Sequence, residues 1–138
     1  MTTKLNPYIS FRDNAKEAAE FYHSVLGGEL EINTFGDTPG MADSDEADLV
    51  MHASIVTPGG LTLFLADTPA GMEHNPGGNI QISLSGEDED ELRGYFDGLS
   101  AGGTPGVPLE KAPWGDTFGM FTDKFGIGWM VNILGSQP

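Results

Sequence analysis

The residues with chemistry to offer are three histidines and a few acids set beside aromatic side chains. His52 lies in the apolar run Leu49 to Thr57 and shares the phase of Ser54, opposite Met51, Ala53 and Ile55. It should therefore face away from the hydrophobic side of a strand. With an ordinary pKa of about 6.5, a histidine there is a candidate general base or a polar anchor for a ligand; a half-buried, hydrogen-bonded histidine is the structural alternative. No serine or acid is spaced to complete a triad with it. His23 falls on the polar side of a helix beside Tyr22, and His74 falls in a linker. Trp114-Gly115-Asp116 precedes an apolar run, where a loop would deliver an aromatic ring to a cavity mouth. Asp116 could bond the loop backbone or a substrate, and Asp67 is expected to cap a turn. Tyr8, Phe64, Gln81, Phe118 and Met130 complete a set of apolar walls and polar points of the kind found in small-molecule sites, unless they simply fill a core.

Other motifs are silent. The acids of the stretch Gly36 to Asp48 have no fixed ligand geometry, and nothing matches the patterned loop that calcium requires. Glu87 to Glu91 stands at a helix start, where negative charge complements the dipole. No phosphate-binding or dinucleotide glycine fingerprint is present, and the Gly-Gly pairs fall where helices stop.

The elements that must position these residues follow from periodicity. Leu5 to Phe11 reads as a strand. Asn14, with Glu17 three residues on, offers a capping box for a helix from Ala15 to Leu26. That helix carries the stripe Ala18, Phe21, Tyr22 and Val25 and stops at Gly27-Gly28. Glu29 to Phe35, Leu49 to Thr57 and Leu61 to Ala66 are the next strands, the last two forming a hairpin across Pro58-Gly59-Gly60. The acidic loop 36–48 reads as a solvated excursion or a lid. After a linker the order recurs: strand Asn79 to Leu84, helix Glu87 to Ala101 with Leu92, Tyr95, Phe96 and Leu99 on one stripe, Gly102-Gly103, and strand Val107 to Lys111. A hairpin follows, Thr117 to Thr122 and Ile127 to Leu134, turning at Asp123-Lys124-Phe125-Gly126. The expectation is an α+β fold of two βαβββ modules, one spanning 1–67 and one 79–138 with a linker 68–78. Their sheets form a curved mixed cup with the helices outside.

The chain has 138 residues, enough for one domain with a substantial core, and a formal net charge of −15. Such a field disfavours nucleic acid and anionic membranes. There are no cysteines, which excludes disulfides and thiolate metal sites. The first residues, Met1-Thr2-Thr3-Lys4, show no apolar signal core, and a cytoplasmic protein is expected.

The pattern resembles the vicinal-oxygen-chelate superfamily (glyoxalase, bleomycin-resistance proteins, extradiol dioxygenases), and more narrowly its PhnB-like branch. The resemblance rests on Pro7-Tyr8-Ile9-Ser10-Phe11, Ala18 with Phe21-Tyr22, and Leu26-Gly27-Gly28. At the far end it rests on Trp114-Gly115-Asp116, Phe118-Gly119, Thr122-Asp123-Lys124-Phe125-Gly126 and Trp129-Met130. It implies the fold just described, a homodimer, and, for the enzymes of the superfamily, a divalent metal held in the cup by His and Glu from the first and last strands of each half. Strand phase puts Ile9, Phe11, Leu61, Leu63, Leu65, Ile80, Ile82, Leu84, Trp129, Val131 and Ile133 beneath the helices. The ligand positions are then Tyr8, Phe64, Gln81 and Met130, which do not suit a hard or borderline divalent ion. A one-residue slip offers only Pro7, Ile9, Leu63, Leu65, Ile80, Ile82, Trp129 and Val131. The expectation is a PhnB-like small-molecule binding protein with no catalytic metal and no cofactor. Its binding residues would be Tyr8, His52, Phe64, Gln81, Trp114, Phe118 and Met130. The alternative is a divalent-metal-dependent glyoxalase-like lyase or isomerase, or a dioxygenase.

Overall fold

Period-two alternation builds the first of two units, Met1–Pro76 and Gly77–Pro138. The computed structural model describes residues 4–37, 40, 43, 45–74, 76, 77 and 79–135. In the first unit β1 (Tyr8–Phe11), α1 (Ala15–Leu26), β2 (Glu29–Thr34), β3 (Val50–Val56) and β4 (Thr62–Asp67) form a sheet of order β1-β4-β3-β2. β1 runs parallel to β4; the other pairs are antiparallel. Ile9, Phe11, Ala53, Ile55, Leu63 and Leu65 are buried, and α1 lies against β2, β3 and β4. Ala15, Ala18, Ala19, Tyr22 and Leu26 form its buried face. The expected stripe is thus rotated: Phe21 and Val25 are only half-buried, and three alanines let the helix approach the sheet. Burying Ile55 or Leu65 contributes about 1.5–3 kcal/mol each.

Several expectations are corrected here. β1 begins at Tyr8, and Leu5 is fully exposed. β2 stops at Thr34, and Phe35–Asp37 forms a single 3-10 turn. Met51 is exposed rather than buried with Ala53, because the β2–β3 register slips: Asn33 faces His52, but Thr34 faces Val50. Leu61 lies outside β4 and is exposed. Asn14 occupies the N-cap position but makes no side-chain cap bond. Asp67 supplies it from across the unit, accepting from the Ala15 backbone N–H at 2.9 Å through Oδ1 and from Val50 N–H at 2.9 Å through Oδ2. Asp67 therefore caps a helix, not a turn, and its charge complements the helix dipole. Of the acidic loop 36–48, positions 38, 39, 41, 42 and 44 lie outside the described residues.

In the second unit β5 (Ile82–Gly86) runs parallel to β9 (Gly128–Ile133), which pairs antiparallel with β8 (Thr117–Thr122). The helix α2 (Glu89–Ser100) lies against β5 and β9 and buries Leu92 and Leu99, with Tyr95 and Phe96 half-buried. It starts two residues later than expected, at an Asp88 cap that accepts from Glu91 N–H at 3.0 Å. Of the strand expected at 107–111 only β7 (Glu110–Lys111) forms; another short piece, β6 (Thr104–Pro105), precedes it, and both pair with β8. β5 starts at Ile82, so Gln81 precedes it, and Ile80 is exposed rather than beneath the helix. Leu84, Trp129, Val131 and Ile133 are buried as expected, and Ile82 is half-buried.

The hairpins β3–β4 and β8–β9 share three hydrogen bonds. In the first hairpin Thr57 N–H donates to Leu61 O, Gly60 N–H to Thr57 O, and Leu61 N–H to Thr57 Oγ1. In the second, Asp123 N–H donates to Ile127 O, Gly126 N–H to Asp123 O, and Ile127 N–H to Asp123 Oδ1. Gly28 and Gly103 also match. A Cβ on Gly28 would press on the Val56 carbonyl and lie 2.7 Å from Thr57 Cα; one on Gly103 would press on the Thr122 carbonyl and lie 2.9 Å from Asp123 Cα. The fold is α+β, with βαβββ order in each unit and the second strand of the second unit broken. No helix among the described residues is long and apolar enough to cross a membrane.

Candidate functional site

The face of the first sheet opposite α1 collects three of the expected residues. Tyr8 on β1 faces Phe64 on β4, which faces Ser54 on β3, which faces Glu31 on β2. His52, two residues before Ser54, shares this side. Its ring centroid lies 5.1 Å from Phe64 and 5.8 Å from Tyr8; Tyr8 and Phe64 are 6.2 Å apart. Interplanar angles of 52°, 43° and 66° give tilted and edge-to-face packing, which favours the negative ring faces meeting positive edges. Tyr8 is 54% exposed, and His52 and Phe64 are half-buried. The sheet thus presents an open aromatic surface with one imidazole in it.

In the second unit the corresponding face carries Met130, flanked in register by Ser83 on β5 and Met120 on β8. Phe118 on β8 faces Asn132 on β9. Trp114 stands 6.1 Å from Phe118 at 60° and is 65% exposed. Gln81 lies at the start of this face, just ahead of β5: a Cβ on Gly128 would come within 3.1 Å of Gln81 Cγ. The repeat locates the equivalences. Phe11 O accepts from Thr68 N–H and Gly86 O from Leu134 N–H. Counting back along the paired strands, Tyr8 corresponds to Ser83, Phe64 to Met130 and His52 to Phe118. Position matching from sequence selected Gln81 instead of Ser83 because the β5 boundary was set three residues early; the Gly-Gly pairs, each falling against the same hairpin, were the signal that could have fixed the alignment.

Asp116 holds the loop beside this face. Its Oδ2 accepts from Asn132 Nδ2 at 3.0 Å and its Oδ1 from Gly135 N–H at 2.9 Å. The Asn132 bond first, then the Gly135 bond, hold its carboxyl below the ordinary value of 3.8. Asn132 lies across from Phe118, and its bond to Asp116 could not be read without the hairpin register.

The metal implied by the fold family fails a test on donor chemistry. Tyr8, Phe64, Met130 and either Gln81 or Ser83 occupy the first- and last-strand positions, and they offer a phenol, a phenyl, a thioether and an amide or hydroxyl. These do not suit a hard or borderline divalent ion. Among the described residues no group of three or more His, Cys, Asp or Glu side chains is placed to hold one. A depression of about 490 Å³ beside Gly28, Glu29, Val56, Thr57 and Pro58 lies at the other end of β3 from His52. Its Thr57 hydroxyl already accepts from Leu61 N–H, so it offers little for recognition.

The model of the Glyoxalase/Bleomycin resistance protein/Dioxygenase superfamily matches residues 4–131. Protein YjdN of Escherichia coli (strain K12) is 31% identical over 147 residues, covering 97% of this chain and 97% of YjdN. Among solved structures, protein PA1353 from Pseudomonas aeruginosa is 36% identical with a TM-score of 0.84, covering 96% of this chain and 98% of that one. The PhnB protein from Bacillus cereus is 25% identical with a TM-score of 0.72, covering 96% and 100%. The PhnB-like likeness read from Trp114-Gly115-Asp116 and the terminal hairpin is thereby matched by a solved relative. With repeat, register and match all running along nearly its whole length, the chain belongs to the glyoxalase/bleomycin resistance protein/dioxygenase superfamily.

Proposed function

We propose that this protein binds a small, largely apolar molecule on its open sheet faces without a catalytic metal, as a binding or sequestering protein. The observation that carries the reading is the convergence of the Tyr8, His52 and Phe64 rings on an exposed sheet face. Exposed aromatic surface is costly to leave in water and gains about 0.5–1.5 kcal/mol per ring contact when a planar ligand covers it. His52 supplies a polar anchor among these rings, and Trp114, Phe118 and Met130 add a second apolar surface in the other unit. Gln81 is the least integrated member of the set. The protein acts as a homodimer in the cytoplasm: β1 and β2 are edge strands of the first sheet, and such edges favour pairing with a second copy. A scattering mass equal to one chain at micromolar concentration would remove the dimer from this reading.

The test is a thermal-shift screen of neutral and charged small molecules, with metal analysis of the same purified protein. A binder should raise the melting temperature by mass action, and Phe64→Ala should abolish the shift. No response across a broad library would overturn the reading. Stoichiometric zinc, nickel or iron that is lost on replacing Tyr8 or Met130 would instead favour a metal-dependent lyase, isomerase or dioxygenase.

A further inference from the structure

The stretch between β7 and β8 puts a large aromatic residue where chain statistics would put a small polar one. Trp114 is 65% exposed, and the loop that carries it is tied at several points. Ala112 N–H donates to Asp116 O at 2.7 Å and Gly115 N–H to Ala112 O at 3.0 Å, closing the loop on itself. Gly115 takes φ 102, a conformation that a side chain would resist. The Asp116 carboxylate then fastens the closed loop to β9 through Asn132 Nδ2 and to the residue after Leu134 through Gly135 N–H. Gly135 itself packs against the Gly115 carbonyl so closely that a Cβ would overlap it. Phe118, the ring Trp114 meets, is two residues past Asp116 on β8, directly across from Asn132. The carboxylate, the amide and the two rings therefore form one connected piece.

We propose that Asp116 is a positioning residue that fixes Trp114 against Phe118 and so presents the indole as a preformed wall of the open face. Its use as a ligand wall rests on the binding reading above; its geometry does not. The first unit has a related device of opposite direction. There the acid sits on the last strand, where Asp67 accepts from Val50 N–H at the start of β3. In the second unit the acid sits ahead of β8, the counterpart of β3, and accepts from the end of β9. Moving the carboxylate across the hairpin frees the loop ahead of it to carry a tryptophan, which no part of the first unit does.

Fluorescence of the full chain tests this without any ligand. The two tryptophans differ sharply in exposure, Trp129 being 1% exposed, and the Trp114 signal is obtained by subtracting the spectrum of Trp114→Ala. In Asp116→Ala, acrylamide quenching of the Trp114 signal should rise towards that of free indole, while the blue Trp129 emission, which reports folding, stays in place. Asp116→Asn keeps an acceptor for Gly135 N–H and, after rotation of the Asn132 amide, a partner there too, so it should restore the wild-type quenching. Unchanged quenching in Asp116→Ala, in a protein whose Trp129 emission is native, would overturn the proposal. Nile red, a neutral aromatic dye, gives the second readout. Asp116→Ala should weaken its binding roughly fivefold, the size of one aromatic contact, and should have no further effect in Trp114→Ala. An equal loss in both backgrounds would also overturn the proposal. If Nile red binds neither protein while quenching changes as stated, the positioning role stands and the binding reading fails.

Discussion

Replacing Asp123 probes how the terminal hairpin holds its core. Asp123 is 3% exposed and satisfies three donors: Phe125 N–H at 2.9 Å and Ile127 N–H at 3.0 Å through Oδ1, and the Trp129 indole N–H at 2.8 Å through Oδ2. The first two are partly reachable by water, whereas the indole is buried. Asp123→Ala leaves the indole N–H unpartnered, at about 1–3 kcal/mol, and removes two charge-assisted backbone bonds worth about 1 kcal/mol each after water substitutes. The sum is about 3–5 kcal/mol, a large share of the 5–15 kcal/mol that ordinarily holds a domain together. Asp123→Asn separates the terms. An amide oxygen can keep both backbone bonds, but its NH₂ then meets the indole N–H donor to donor. That costs about 2–3 kcal/mol.

Urea unfolding of Asp123→Asn, Trp129→Phe and the double variant measures the coupling directly. Phenylalanine has no N–H, so Asp123→Asn should be nearly neutral in its presence, and the cycle should return about 2 kcal/mol of interaction. If Asp123→Asn costs the same in both backgrounds, the carboxylate does not hold the indole, and the account of why Trp129 is buried in this orientation fails. An unchanged m-value across the series is the control that all four proteins unfold from similarly compact states.

Gly27 and Gly28 should respond unequally to alanine. Gly27, at φ 76 and ψ −158 with open space around it, should lose only the cost of a backbone region that glycine alone occupies readily, about 1–3 kcal/mol. Gly28 adds a clash with Val56 and Thr57, and Gly103 a clash with Thr122 and Asp123, so each should lose more than about 3 kcal/mol; equal losses at Gly27 and Gly28 in thermal unfolding would contradict the close approach. For Asp116 the sign follows from its depressed pKa. A carboxylate held low contributes stability that is present above its unfolded value and is lost as pH falls through its folded value. The stability that Asp116→Ala removes should therefore hold steady down to about the ordinary value of 3.8 and fall only below it. A transition centred well above that value would assign the change to another group.

What was legible in the sequence was whatever a local rule enforces. The helix Ala15–Leu26 was readable to the residue because Gly27 ends it and the apolar spacing is regular. The β8–β9 hairpin was readable because Asp123 and Gly126 fix its turn. The misreadings share a different cause: each depended on a partner far away in the chain. Asn14 looked like a cap because Asp67, which replaces it, is more than fifty residues distant. Met51 looked buried because the bulge that turns it out is set by β2. The second strand of the second unit looked continuous because nothing local in Val107 to Lys111 announces the break between the stretches that pair with β8. The aromatic face was half legible. Strand phase grouped Tyr8, His52 and Phe64 correctly, but it could not say that Gln81 stops short of β5.

The repeat also bears on why metal chemistry is a poor fit for this chain. Among the described residues the buried carboxylates are Asp67 and Asp123. Both are already committed to backbone and indole donors that the fold cannot leave unpaired: Asp67 to the start of α1 and of β3, Asp123 to its turn and to Trp129. Turning Asp67 towards an ion would strand two buried N–H groups, and turning Asp123 would strand the buried indole N–H, at about 1–3 kcal/mol each. Asp116 is bound in the same way to Asn132 and Gly135. The equivalent face positions, meanwhile, have diverged in pairs, Tyr8 with Ser83, Phe64 with Met130 and His52 with Phe118. The buried acids are committed to building, and the faces carry rings, a thioether and one imidazole, with Glu31 two strands away from Phe64. Metal binding at the first- and last-strand positions would require at least one acid introduced there, at Phe64 or Met130. Phe64→Glu beside His52 is the most economical version of that experiment. It should bind zinc only weakly, because two ligands leave the ion short of the three or four that hold it; tight, stoichiometric zinc in this variant would reveal donors on the face that Tyr8, His52 and Phe64 do not account for.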